Sequence, residues 1–269
     1  MSYDRKVALE FFRSAGQPTD IAQGAVIFQE KETDRKLFRQ HSKIYLLLDG
    51  EVGLLHGQTL IGTVKMGEIF GEMAAITHAP RSATAVAKTA CKVIALDDEQ
   101  LESALARKPD FALMLMSMLI GRLRDTIARL TASGKLAPEA TEESAAFDPK
   151  RLQELVSGLS SDPPVYYQSG RQVMSEGSKA ALMYAVVSGR IAISIGGKVV
   201  ERLGPGGAFG EAALVDQSPR LATAVAETDS ELQPITRQAF LALVKTSPQF
   251  AYGMLTSLAE RLRFLTERL

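Results

Sequence analysis

The chain has 269 residues, nearer two domains of about 150 residues than one, and long enough for each half to bury its own core. Apolar residues make up 46% and charged residues 23%, a globular balance that excludes a disordered chain or a fibre. Lysine and arginine together number 31, as do aspartate and glutamate, so no global field draws the protein to nucleic acid or anionic lipid.

In chain order, Met1 to Glu10 has no secretory leader pattern, which makes the cytoplasm the expected compartment. Ile44–Leu48, Val52–Leu55 and Leu60–Lys65 are short apolar or alternating runs separated by Asp49-Gly50 and His56-Gly57, which predicts antiparallel hairpins. Phe70 to Ala87 holds a glycine, a glutamate and an arginine among small residues. Cys91–Leu96 reads as a further strand, and Cys91 as core rather than nucleophile; a single cysteine also excludes an internal disulfide. The period then changes. Phe111–Leu130 runs without proline, behind a Pro109 placed to start a helix, and its longest apolar run, Leu113–Ile120, falls well short of the roughly 20 residues that span a bilayer. Thr131 to Pro149, with Gly134, Pro138, Pro149 and several glutamates, reads as a linker. Met183–Val187, Arg190–Ile195 and Lys198–Leu203 then repeat the hairpin pattern across Ser188-Gly189 and Gly196-Gly197.

The second half repeats the first. Phe70 to Ala87 returns as Phe209 to Ala226 with 11 of 18 positions identical, at an offset of 139 that also relates Gly50 to Gly189 and Pro109 to Pro248. One constant offset means a duplicated domain rather than a copied loop. Upstream the offset becomes 146, Gly24 matching Gly170, so the first copy carries about seven extra residues, placed in the charged stretch Lys31 to Gln40 as a surface loop. The division expected is a first domain over 1–131, a linker over 132–149 and a second domain over 150–269.

Both copies contain Gly-Glu-x-Ala with an arginine nine residues after the glutamate: Glu72 and Arg81, Glu211 and Arg220. A helical turn opening at the glycine presents backbone N–H groups to an anion, and arginine grips a phosphate through two parallel hydrogen bonds. The glutamate would repel phosphate but can accept from a sugar hydroxyl, so the pair together suggests a nucleotide. The plain alternative, a β-turn with a surface ion pair worth little, is weakened by the identical spacing in two copies.

Phe70-Gly71-Glu72-Met73-Ala74 to Pro80-Arg81-Ser82-Ala83-Thr84, and Phe209 to Thr223, resemble the phosphate-binding cassette of cyclic nucleotide-binding domains, the family of the catabolite activator and kinase regulatory subunit type. The resemblance implies an α+β chain of two tandem antiparallel β-rolls, jelly-roll-like double-stranded β-helices, each closed by C-terminal helices. It implies a cAMP or cGMP ligand, with glutamate on the ribose 2′-hydroxyl, arginine on the cyclic phosphate, and backbone N–H groups completing the cradle. Carried over, the ligand-binding residues are Gly71, Glu72, Met73, Ala74, Arg81 and Ser82 in the first copy, and Gly210, Glu211, Ala212, Ala213, Arg220 and Leu221 in the second. Thr126 matches a base-contacting threonine of the family, with Leu265 as its counterpart. The family's Glu-Gly pair survives as Glu176-Gly177 but is Glu30-Lys31 in the first copy, and Leu221 lacks the hydroxyl of Ser82 that could favour guanine.

Other readings fare worse. His41, His56 and His78 are scattered, which tells against a metal site, and no catalytic set is visible, so no enzyme and no cofactor is expected. Arg122, Arg124 and Arg129, echoed by Arg261, Arg263 and Arg268, read as a solvated helix face, and with no helix-turn-helix after the closing helix direct DNA binding is disfavoured. Leu115, Leu119, Leu123 and Leu130 form an apolar stripe that packs on the roll and could also pair two copies in a homodimer. The expected protein is a non-catalytic sensor that passes a helix rearrangement to a protein partner; a scaffold with degenerate sites is the competing reading.

Overall fold

The computed structural model describes residues 4–32, 42–136, 143–144, 147–157, 163–179 and 181–268. The chain divides into two compact units, one holding Ala112–Leu258 and the other Tyr3–Phe111 with Ala259–Glu267.

In the unit of the first copy, α1 (Arg5–Ala15) starts at Asp4, whose carboxylate accepts from the N–H groups of Lys6 and Val7 and so satisfies donors that a helix start leaves open. The helix buries Phe11 and Phe12, and Phe11 stacks on Phe111 with ring centroids 3.4 Å apart. Six strands follow: β1 (Pro18–Ile21), β2 (Val26–Phe28), β3 (Ile44–Asp49), β4 (Val52–His56), β5 (Thr59–Val64) and β6 (Ile69–Phe70). The short helix α2 (Glu72–Thr77) separates them from β7 (Thr84–Ala87) and β8 (Cys91–Leu96). Pairing gives two four-stranded antiparallel sheets, β1-β8-β3-β6 and β2-β7-β4-β5. Their alternating inward residues meet in one core: Leu47, Phe70 and Cys91 from the first sheet, Phe28, Val52 and Ala85 from the second. A capping box between Asp97 and Gln100 opens α3 (Asp98–Arg107). The closing helix α4 (Pro109–Ala132) starts on proline, which has no N–H to leave unsatisfied. Beyond Phe111 it belongs to the other unit.

That other unit continues with β9 (Glu143–Ser144), α5 (Pro149–Ser157), β10 (Val165–Tyr167), β11 (Gln172–Met174), β12 (Leu182–Ser188), β13 (Ile191–Ile195), β14 (Lys198–Leu203) and β15 (Ala208–Phe209). Then come α6 (Ala212–Asp216), β16 (Thr223–Ala226), β17 (Ser230–Thr236), α7 (Arg237–Thr246) and α8 (Pro248–Thr266). The sheets are β10-β17-β12-β15 and β11-β16-β13-β14-β9. The stretch read as linker thus contributes β9, which pairs in parallel with β14, Glu143 opposite Arg202.

The architecture is α+β, two antiparallel β-rolls of jelly-roll type with closing helices, and apart from the added β9 the strand pairing of one roll recurs in the other. Tyr45 faces Phe70 as Tyr184 faces Phe209. The N–H of Lys31 donates to the carbonyl of Arg81 at 2.8 Å, and that of Gly177 to Arg220 at 2.9 Å. The N–H of Arg81 donates to Glu32, and that of Arg220 to Ser178. Offset 146 therefore holds through Glu32, and the extra residues of the first copy lie between Glu32 and Lys43; positions 33–40 of the expected loop fall outside the described residues.

Candidate functional site

In the first copy the chain leaves β6 through Gly71 at φ +74°, a left-handed conformation that disfavours any side chain. A Cβ there would stand 3.0 Å from both Arg81 Nη1 and the Lys43 carbonyl oxygen. The glycine lets that guanidinium lie directly on the turn. Arg81 Nη1 donates to the carbonyls of Gly71 at 2.9 Å and Lys43 at 3.0 Å, and the guanidinium carbon lies 4.3 Å from the centre of the Phe28 ring. Arg81 is 5% exposed and Glu72 2%, so both charges are held inside the domain, where a charge persists only if paired or hydrogen-bonded. Ser82 directs its hydroxyl at Met73 Sδ, 3.8 Å away, and its carbonyl lies 3.3 Å from His56 Nδ1. Ala74 is buried in α2.

The second copy reproduces the arrangement. Gly210 takes φ +86°, and Arg220 directs Nη1 to the Gly210 carbonyl at 2.8 Å and Nη2 to the Leu182 carbonyl at 2.5 Å. Those two carbonyls engage two of a guanidinium's five N–H donors. Glu211 is 3% exposed and Arg220 7%. Burial holds the Arg220 guanidinium below its ordinary pKa, while the nearby Tyr184 and Glu211 push it back up. Ala212 and Ala213 are buried in α6, and Leu221 is partly exposed beside Arg220. In both copies the cassette helix ends on a non-glycine residue in the left-handed region, His78 at φ 51° and Gln217 at φ 58°. Strain of this kind concentrates at functional turns.

Gly71, Glu72, Met73, Ala74, Arg81 and Ser82 are thus brought together, as are Gly210, Glu211, Ala212, Ala213, Arg220 and Leu221. Thr126 is buried on α4, in the unit that holds Arg220, whereas Leu265 on α8 belongs to the unit of Arg81. Sequence reasoning missed the Lys43 and Leu182 carbonyls, since a main-chain acceptor leaves no side-chain signature. It also missed Phe28, replaced by Met174 at the same register of the second copy, which reads as core in any sequence. Arg124 and Arg263, expected on a solvated face, are half-buried and hydrogen-bonded. Among the described residues no three metal-ligating side chains converge, and no helix is long and apolar enough to cross a membrane.

Two β-rolls that each bury an arginine and a glutamate at a glycine turn define a tandem β-roll protein with the same charged cassette in each copy. The family model "Cyclic nucleotide-binding domain" matches residues 18–108 and 164–247, and the chain belongs to that family. The cyclic AMP receptor protein of Thermus thermophilus is 32% identical over 133 residues, 48% of this chain and 55% of that protein. A cAMP-dependent protein kinase regulatory subunit of Eremothecium gossypii is 27% identical over 209 residues, 74% of this chain and 39% of that one. The matches therefore span only about half or less of these relatives' own lengths. Among solved structures, the regulatory domain of Toxoplasma gondii PKA with cAMP shares 21% identity at a TM-score of 0.34, covering 92% of this chain and 89% of that one. The Thermus thermophilus catabolite activator protein shares 32% at 0.38, covering 44% and 56%.

Proposed function

We propose that the chain is a non-catalytic, cytoplasmic sensor that binds one cyclic nucleotide in each copy and relays the bound state through its closing helices to a protein partner. The observation that carries this reading is the repeated pair of buried arginines, each held over a glycine turn by two main-chain carbonyls. In this reading Arg81 and Arg220 bind the cyclic phosphate, and Glu72 and Glu211 accept from the ribose 2′-hydroxyl. N–H groups at Gly71, Met73, Ala74 and Ser82, and at Gly210, Ala212, Ala213 and Leu221, line the cradle. Burial strengthens each charge-assisted bond relative to water, and carbonyl clamping means the guanidinium is oriented before ligand arrives. Leu221 supplies no hydroxyl to a guanine edge, so the second site favours cAMP; Ser82 allows either base in the first. The receptor protein and kinase regulatory subunits named above support cAMP as the ligand class.

Isothermal titration of the full chain with cAMP, and separately with cGMP, tests this. The expected result is saturable binding of cAMP approaching two per chain. Absence of binding by both nucleotides would instead favour a scaffold with degenerate cassettes.

A further inference from the structure

Arg124 lies on α4, the closing helix of the first copy, yet its guanidinium is bonded to the cassette turn of the second. Its Nε donates to Asp216 Oδ2 at 3.1 Å, and its Nη2 donates to Asp216 Oδ1 at 3.4 Å, to the Ser218 hydroxyl and to the Pro219 carbonyl at 3.2 Å. Pro219 immediately precedes Arg220. Within the turn, the N–H and hydroxyl of Ser218 also donate to Asp216, so the arginine closes a small network around the strained Gln217. In the other unit Arg263, on α8 of the second copy, donates from Nη1 to the carbonyl of Pro80 at 2.8 Å. Pro80 immediately precedes Arg81. Arg124 and Arg263 are 139 positions apart, as are Pro80 and Pro219, so the same residue of each copy makes the same contact with the other copy's turn. A solvated helix face would not repeat a bond to one particular carbonyl.

We infer that Arg124 and Arg263 are reciprocal positioning residues. Each holds the turn that leads into the opposite copy's phosphate arginine, so that occupancy of one cassette is read by the closing helix of the other. The forked guanidinium suits the task because it can engage a carboxylate and a carbonyl at once, which a lysine ammonium does less well. A turn held in this way keeps the phosphate arginine in its binding position; freeing it adds alternative conformations and lowers affinity. The inference rests on the nucleotide-binding reading above, and extends it by making each site depend on a residue from the other copy.

The test measures cAMP binding to the full chain in two backgrounds, Arg81→Ala to isolate the second site and Arg220→Ala to isolate the first. Arg124→Ala is expected to weaken the second site about five- to tenfold and leave the first unchanged, and Arg263→Ala to do the converse. Without ligand, amide exchange over 216–220 should quicken in Arg124→Ala, and over 78–81 in Arg263→Ala. Loss confined to each arginine's own copy, equal loss at both sites, or no loss at either would overturn the crosswise assignment while leaving nucleotide binding intact. A wild-type chain that binds neither cAMP nor cGMP would instead overturn the underlying reading, and the positioning role with it.

Discussion

At the scale of single residues, the account turns on two guanidinium groups whose positions are set before any ligand arrives. Arg81 and Arg220 each lie against two carbonyls, so under the proposed function a phosphate would meet guanidinium groups already oriented. Truncating one partner of a buried charge pair costs roughly 2–5 kcal/mol, or about 30-fold to several thousand-fold in affinity. Arg81→Ala and Arg220→Ala should therefore each abolish only their own site, reducing calorimetric stoichiometry from two to one; a double variant with wild-type affinity would refute the assignment. The glycine makes a second check. At Gly71 an added methyl would meet both Arg81 and the Lys43 carbonyl at 3.0 Å in a left-handed backbone. Gly71→Ala should weaken the first site and destabilise its roll by about 1–3 kcal/mol in denaturant titration, with the second site unaffected. These residues were legible in the sequence because glycine, glutamate and arginine are chemically distinctive and recur at one spacing. Their supports were not, since Lys43 and Leu182 act through main-chain oxygens that any residue could supply.

At the scale of elements, hairpins and long helices could be read from glycine punctuation and the change of period after Leu96, and α4 extends only two residues beyond the expected Phe111–Leu130 at either end. What an element packs against is harder to read. An apolar stripe records that a face is buried, not which surface covers it, and so Arg124 passed for solvent-facing. The turn it grips has a measurable electrostatic mark. Burial raises the Asp216 pKa, but hydrogen bonds from Ser218 and Arg124 and the arginine's charge outweigh it and hold the carboxyl below its ordinary 3.8. A carboxyl lowered on folding adds stability that is fully present above the unfolded value and lost as pH falls through the folded one. The Asp216 carboxyl should accordingly titrate below 3.8 by NMR and move upward in Arg124→Ala. An unchanged midpoint would mean the arginine contributes nothing there.

At the scale of the whole molecule, duplication was the strongest signal in the sequence, and the paired hydrogen bonds at offsets 139 and 146 show that it extends to the backbone. The compact units nevertheless do not follow the copies: α4 beyond Phe111 belongs with the second roll, and the last turns of α8 with the first. Sequence could not show this, because apolar helices of similar pattern close both copies and either could serve either roll. Thr126 marks the consequence, since its unit is that of Arg220 rather than Arg81. The most direct measurement is a crystal structure of the full chain grown with saturating cAMP. The account predicts a cyclic phosphate within about 2.7–3.2 Å of the Arg81 guanidinium and another at Arg220, with each ribose 2′-hydroxyl on Glu72 or Glu211. Nucleotide bound elsewhere, with both arginines still engaging only carbonyls, would contradict it.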